Sequence, residues 1–378
     1  MNKELKIFGV VAFFTLLLYW GVEPFAHSQM HKHVEGHDLK YTGISESTIL
    51  DHEISDLKTE TETVKEKIVT LKDELTQPDA NKTALDTAIE TANNRLAAIP
   101  NDIKKAEELK AVKAKFWGEV LEVAKLNGDA TAGEASFAMC GGCHMDGAAN
   151  MGGVTPPSLE HAGKIYDKNY LIALIKDPAM ASNVDHKYPN GTITHPMGSV
   201  SSMVSAPQDI ANVVAYLQEK KAGHVTPREA YKEACGRCHA NRYGKLTQLG
   251  ELPKTKSNIK TGKDIDRMKY DQKVAEEEAA IAAYMGKLPP DLSIMIRARG
   301  EHFMHTFIEN PQSQLKGTAM PRTGLNHEGM EKVIEFLEET GDPSKPAREM
   351  AGPWVILFFV IFTILAYLWK SSLWRDLH

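Results

Sequence analysis

The chain is poor in cysteine, with four in 378 residues. All four stand in two Cys-x-x-Cys-His motifs, Cys140-Gly-Gly-Cys143-His144 and Cys235-Gly-Arg-Cys238-His239, so no thiol remains for a disulfide or a separate nucleophile. Positive charge is not in excess either. Lys and Arg number 44 against 50 Asp and Glu, a net charge of −6, and this excludes the basic footprint of a nucleic-acid binder. Long apolar runs are missing from the centre of the chain and occur only near its two ends. After the first of them, Trp20-Gly-Val-Glu-Pro-Phe-Ala-His27 lacks the clean small-residue pattern at which a secretory signal is cut.

What is present is chemically specific. Cys-x-x-Cys-His is the attachment signature of c-type haem. Cys140 and Cys143, and likewise Cys235 and Cys238, would form thioethers with the haem vinyl groups, and His144 and His239 would supply the proximal iron ligands. Two Cys-x-x-Cys pairs can also build a zinc site, but such pairs usually stand about 15–20 residues apart. Here Cys143 and Cys235 are much further apart and each pair is followed by His.

The terminal runs read as membrane segments. Ala351 to Trp369 is long enough for a spanning helix, which needs about 20 apolar residues. Trp354 and Trp369 suit the interfacial belt, and Lys370 with Arg375 suits a cytoplasmic end. Ile7 to Val22 is shorter and reads as an uncleaved anchor or as a signal, the missing cleavage pattern favouring the anchor. Either way the centre of the chain is exported, and haem attachment in bacteria occurs on that outer side. His27, His31, His33 and His37 have no carboxylate or Cys framework beside them and read as a solvated linker rather than a metal site.

Leu50, Ile54, Leu57, Thr61, Val64, Ile68, Leu71 and Leu75 step by four and three, a heptad seam. A turn at Thr76–Asn81 follows, with Pro78 closing the first arm. The seam resumes at Leu85, Ile89, Ala92, Leu96, Ile99, Ile103 and Ala106, and Pro100 is expected to kink or break this arm. Leu109, Val112, Phe116, Val120 and Val123 continue as an amphipathic segment. The arms form a helical hairpin that either docks a partner or satisfies only its own seam.

The stretch from Gly128 to Phe137, running into Cys140, resembles the opening of a class I cytochrome c, and the amphipathic helix from Pro207 to Leu217 resembles that family's closing helix. The sixth iron ligand is expected in the loop before the closing helix. Met197, in His195-Pro-Met-Gly, is the first candidate and Met203 the second, while His186 or His195 could ligate instead. A second domain opens at Thr226, a candidate helix cap with Pro227 at the first helical position. It closes on Gly329–Leu337, and Met320, followed by Pro321, is its distal candidate.

Leu288-Pro-Pro-Asp-Leu-Ser293 followed by Ile296-Arg-Ala-Arg299, with Arg242-Tyr243 after the second motif and a single C-terminal anchor, resembles cytochrome c1, the c-haem subunit of the quinol:cytochrome c reductase (bc1) complex. The resemblance covers roughly residues 225–378, and the whole chain resembles the two-haem bacterial form. It implies an electron received from the Rieske iron–sulfur subunit, cytochrome b as a further partner, and a cytochrome c or terminal oxidase downstream. It also implies a dimeric complex, and Arg297 and Arg299 near the haem propionates. A surface ion pair with Glu301 is the plainer role for those arginines.

The fold expected is all-α. It comprises an N-terminal anchor (1–24), a linker (25–43), the hairpin (44–126), a first cytochrome c domain (127–224), a c1-like domain (225–350), a transmembrane helix (351–370) and a cytoplasmic tail (371–378). Two covalent haem c groups would sit on the periplasmic side of the bacterial inner membrane. The function expected is electron transfer without bond chemistry on the polypeptide, so no catalytic side chain is assigned. Three rival readings are a di-haem donor subunit of a haem–copper (cbb3-type) oxidase, a di-haem peroxidase, and an interaction protein built around the hairpin.

Overall fold

The protein is described from a computed structural model covering residues 3–17, 41–78, 81–144, 155–188, 195–220, 223–252 and 265–375. The chain falls into two units, Met1–Asp38 and Leu39–His378. In the first unit, helix α1 (Lys3–Leu17) carries exposed Phe8, Val10, Phe13, Phe14 and Leu16. The rest of the N-terminal apolar run, the four linker histidines, Met145 and Met151 lie outside the described residues.

The second unit opens with the hairpin. Helices α2 (Ile44–Leu75) and α3 (Lys82–Ala124) pack along their length, burying Leu50, Ile54, Leu57 and Ile68 on one arm and Ala92, Ile99 and Ala106 on the other. Gly43 starts α2 at φ 84°, where a Cβ would lie 2.6 Å from Trp117, so only glycine fits. Contrary to the expected break, α3 runs through Pro100 without interruption. Proline inside a helix costs about 3 kcal/mol, but here tertiary contacts hold both sides of it. Ile99 is fully buried, and Arg95 reaches Glu60 on the other arm (2.7 Å) and Asp102 beyond the proline (2.6 Å). The last turns of α3 bury Phe116, Trp117, Val120 and Val123 in the main core, whereas Val112 is exposed.

Helix α4 (Ala130–His144) ends on the first motif. Short helices α5 (Ala162–Ile165), α6 (Lys168–Lys176) and α7 (Pro178–Ala181), a 3₁₀ turn at Asp185–Lys187 and α8 (Val200–Met203) lead to α9 (Pro207–Lys220). Helices α4 and α9 cross closely, because a Cβ at Gly133 would come within 2.0 Å of the Asn212 carbonyl. Phe137, the aromatic residue ahead of the motif, packs on Tyr216 at 5.1 Å between ring centres.

Helix α10 (Pro227–Ala234) begins with a reciprocal capping box between Thr226 and Glu229. A two-stranded antiparallel ribbon, β1 (Leu246–Thr247) and β2 (Gly250–Glu251), interrupts the all-α pattern. Then follow α11 (Ile265–Met285), α12 (Met295–Arg299), α13 (Glu301–Glu309), α14 (Pro311–Gln314) and α15 (His327–Gly341). Helix α10 packs on α15, with Tyr231 against Phe336 at 4.6 Å.

The boundary expected near residue 225 separates helices but not cores. Ile165, Ile172, Val214 and Leu217 share one apolar cluster with Tyr231, Leu246, Met330 and Leu337. Backbone bonds stitch the halves together. Asp167 N donates to the Gly324 carbonyl and Asn326 N to that of Ile165, both at 2.9 Å, and Tyr166 forms an isolated bridge with Leu325.

The final helix, α16 (Lys345–Arg375), starts before the expected residue 351 and continues past 370 into the expected tail. Ion pairs fix its start, Lys345 with Glu301 (3.2 Å) and Glu338, and Arg348 with Asp342 (2.7 Å). Its apolar residues from Val355 to Leu368 are exposed on all sides, and it is long and apolar enough to cross a membrane.

Candidate haem sites

The two motifs are built in different ways and finish alike. The first is the last turn of α4. In the second, α10 ends at Ala234, and one more turn is closed by Cys235 N to the Tyr231 carbonyl and His239 N to the Cys235 carbonyl, each 2.9 Å. The Tyr231 hydroxyl donates to the His239 carbonyl at 3.1 Å. In both sites the histidine Nδ1 meets a prolyl carbonyl at 2.8 Å, His144 with Pro157 and His239 with Pro290. A carbonyl only accepts, so Nδ1 carries the proton and Nε2 keeps its lone pair for a metal. Burial lowers the pKa of both rings, with the Arg237 charge adding to the effect at His144, so each is a neutral imidazole at neutral pH.

The acceptor carbonyls come from a repeat that the motif reading missed. Thr155-Pro-Pro-Ser-Leu159 lies 13 residues beyond His144 at its acceptor Pro157. Leu288-Pro-Pro-Asp-Leu292 supplies Pro290, 51 residues beyond His239. The Pro-Pro-x-Leu pattern was the available signal, and the unequal spacing concealed it. Pro290 is therefore a hydrogen-bond acceptor as well as a stiff loop residue. Its segment is tied to the chain just after the motif. Leu292 N donates to the Ala240 carbonyl (2.9 Å), Tyr243 N to Ser293 Oγ (3.1 Å), and Arg242 N and Nε to Asp291 Oδ2 (3.2 and 3.3 Å). Burial pushes the Asp291 carboxyl up, but the bonds from Ser293 and Arg242 outweigh it and hold it below the usual range.

Burial pushes Cys235 up to about 12 and raises Cys140 and Cys238 as well, so these are thiols rather than thiolates. Among the described residues no His, Cys, Asp and Glu group could hold a metal ion by itself.

Of the candidate sixth ligands, Met197 is half-buried, and its N–H donates to His195 Nδ1 at 3.1 Å. The His195 ring packs on Tyr188, and burial lowers its pKa to about 4. Met203 on α8 is 58% exposed and His186 is exposed as well. Met320 is half-buried in a segment without regular structure, and its N–H donates to Thr318 Oγ1 at 3.3 Å.

Arg297 and Arg299 are solvent-exposed on α12. The Arg299 guanidinium lies 5.4 Å from the Phe303 ring centre, and Glu301 bonds Lys345. Two cations act on Cys238 and His195, Arg237 inside the second motif and Lys187. The Arg237 charge acts on Cys238, Tyr166 and Tyr284 and reaches His144 and His195 of the first site. A cleft of about 310 Å³ beside it is lined by Pro157, His161, Glu233, Arg237 and Gln248. Across it, Glu233 Oε2 accepts from the His161 backbone N–H (3.3 Å) and meets His161 Nδ1 (3.2 Å). Helix α11, which no motif announced, reaches the first site. Thr155 Oγ1 donates to Glu277 at 2.9 Å, and Lys187 Nζ donates to the Tyr284 carbonyl at 3.2 Å.

Comparison with known proteins agrees with this chemistry. The family model for cytochrome c matches residues 130–221. The chain is 24% identical over 230 residues to a Nitrosomonas europaea protein named ammonia monooxygenase gamma subunit, spanning 49% of this chain and 93% of that one. No solved structure matches. Residues 130–221 are thus a cytochrome c domain, a carrier of covalently bound haem c and of haem-based electron transfer.

Proposed function

We propose that the chain is a membrane-anchored, di-haem cytochrome c1-type subunit of a bc1-type complex, facing the periplasm. It receives electrons from a Rieske iron–sulfur subunit and delivers them to a cytochrome c or a terminal oxidase. The observation that carries the two-haem part is the identical orientation of His144 and His239 by Pro157 and Pro290. The c1 part is supported by the bonding of Asp291 and Ser293 to Arg242 and Tyr243, which makes one unit of the segments that resemble cytochrome c1.

When bound, each haem supplies an iron that gains and loses one electron. The chain's own residues do the rest. Cys140 and Cys143, and Cys235 and Cys238, anchor the rings. His144 and His239 would each hold an iron through Nε2, and Met197 and Met320 would supply the thioethers that raise the potential. Burial of His239 and half-burial of His144 would limit solvent access and favour outer-sphere transfer. The shared core and backbone bonds hold the two sites at a fixed separation, as a relay requires.

A second reading follows from the likeness to the Nitrosomonas protein, whose printed name is that of a monooxygenase subunit. In it the chain brings electrons to another membrane oxidase, and the haem–copper (cbb3-type) donor belongs to the same class. Purification in mild detergent, haem quantification and identification of co-purifying subunits decide between them. Two haems per chain with cytochrome b and a Rieske protein are expected. One haem per chain would refute the di-haem reading, and an oxidase core in place of cytochrome b would refute the bc1 assignment.

A further inference from the structure

The hairpin has a contact that a self-contained insertion would not need. The segment from Thr318 to Asn326 carries Met320 and contains no helix, so contacts from elsewhere set its path. Two acidic residues of α2 bond on either side of Met320, one to a residue just ahead of this segment and one to a residue within it. Glu53 pairs with Lys316 at 2.5 Å, and Glu46 with Arg322. The Glu46 and Arg322 side chains are 4% and 2% exposed. The Arg322 guanidinium lies 5.4 Å from the Tyr41 ring centre, and the Tyr41 hydroxyl donates to the Leu325 carbonyl at 2.8 Å. The first haem domain holds the same segment from the other side. Arg322 N donates to the Ser182 carbonyl at 2.8 Å, and the Tyr170 hydroxyl to the Arg322 carbonyl at 3.0 Å.

Stability alone is a poor explanation for Glu46 and Arg322. A buried ion pair is often no more stabilising than an apolar pair of similar volume, because desolvation offsets the attraction. What such a pair supplies is direction, since Arg322 Nη1 donates to Glu46 Oε1 with both side chains buried, and a planar guanidinium aims its N–H groups along fixed directions. We propose that the base of the hairpin is a positioning clamp for the distal ligand of the second haem site. Glu46, through Arg322, fixes the course of the loop that carries Met320, and Glu53 with Lys316 guides its approach. The clamp thereby sets the thioether ligation and the potential of that site. This rests on Met320 being the distal ligand, and Met320→Ala tests that assignment separately.

The test uses full-length holo-protein in detergent and reads the potential of each haem and the near-infrared methionine-to-iron charge-transfer band. Glu46→Gln breaks the pair, and Glu46→Leu/Arg322→Met replaces it with an apolar pair that maintains folding. Both are expected to weaken the band of the second haem and shift its reduction equilibrium tenfold or more towards the oxidised form, about 59 mV for one electron. The first haem, in the same molecule, is expected to keep its potential. If Met320→Ala leaves band and potential unchanged, the ligand assignment falls. If Met320→Ala removes the band but the double variant, folded and fully haem-loaded, keeps both band and potential, the clamp is refuted. Equal shifts of both haems would also refute it.

Discussion

A prolyl carbonyl at 2.8 Å from Nδ1 decides which nitrogen of His144 and of His239 keeps its lone pair. This is a backbone role that no substitution of the proline's side chain abolishes, and it was invisible in the motif because the acceptors lie 13 and 51 residues away. Distal ligation is more open to mutation. Met197→Ala is expected to remove the methionine band and lower the potential of the first haem, while Met203→Ala, at an exposed position, leaves both unchanged; redox titration of the two variants checks this. Glu233 carries a pH signature. Burial raises its pKa to about 7, with His161 opposing. Between the ordinary carboxyl range and pH 7 the folded chain then holds a proton that the unfolded chain has released. The resulting stability is present at low pH and lost as pH rises through about 7. Thermal unfolding of the holo-protein across pH 5–8, roughly the span in which the side chain titrates, should show this decline, and Glu233→Gln should flatten it.

At the scale of elements, close helix contact depends on small residues. Gly133→Ala drives a methyl into the Asn212 carbonyl where α4 crosses α9. Overpacking of this kind typically costs about 1–3 kcal/mol, measurable as a lower denaturation midpoint with haem still attached. The hairpin was the most legible element. Its seam and the turn at Thr76–Asn81 are written in four-and-three spacing, and α2 and α3 follow it. The passage of α3 through Pro100 was not legible, because local propensity argues for a break, and long-range contacts of Ile99 and Arg95 override it. The attachment of α2 to the Met320 loop was equally hidden, since Glu46 and Arg322 lie 276 residues apart.

At the scale of the whole molecule, the regions around the two Cys-x-x-Cys-His motifs share an apolar core, and a third set of contacts comes from α11, whose Glu277 and Tyr284 meet the first region. Separate expression of either half would strip apolar surface from the other, so neither is expected to behave as an independent domain. The C-terminal apolar helix is different. From Val355 to Leu368 its side chains are exposed, and its first turns, through Lys345 and Arg348, form ion pairs with other described residues. Truncation after residue 350, in a chain whose N-terminal apolar run is replaced by a cleavable secretory signal, retains those ion pairs and is expected to shift the protein towards the detergent-free soluble fraction with its haem content unchanged. A membrane-flotation assay measures the shift, and loss of haem on truncation would contradict it.

The sequence by itself determined the cofactor chemistry, the helical class, the hairpin and the C-terminal apolar span. Each is encoded within a short window, in adjacent residues or a fixed periodicity. Only the tertiary structure decided the second partner of each proximal histidine, the half-burial of Met197 against exposed Met203, the surface position of Arg297 and Arg299, and the ion pair that joins the hairpin to the Met320 loop. Those features join residues tens to hundreds of positions apart, and their pairing is set by how the cores merge rather than by any local pattern.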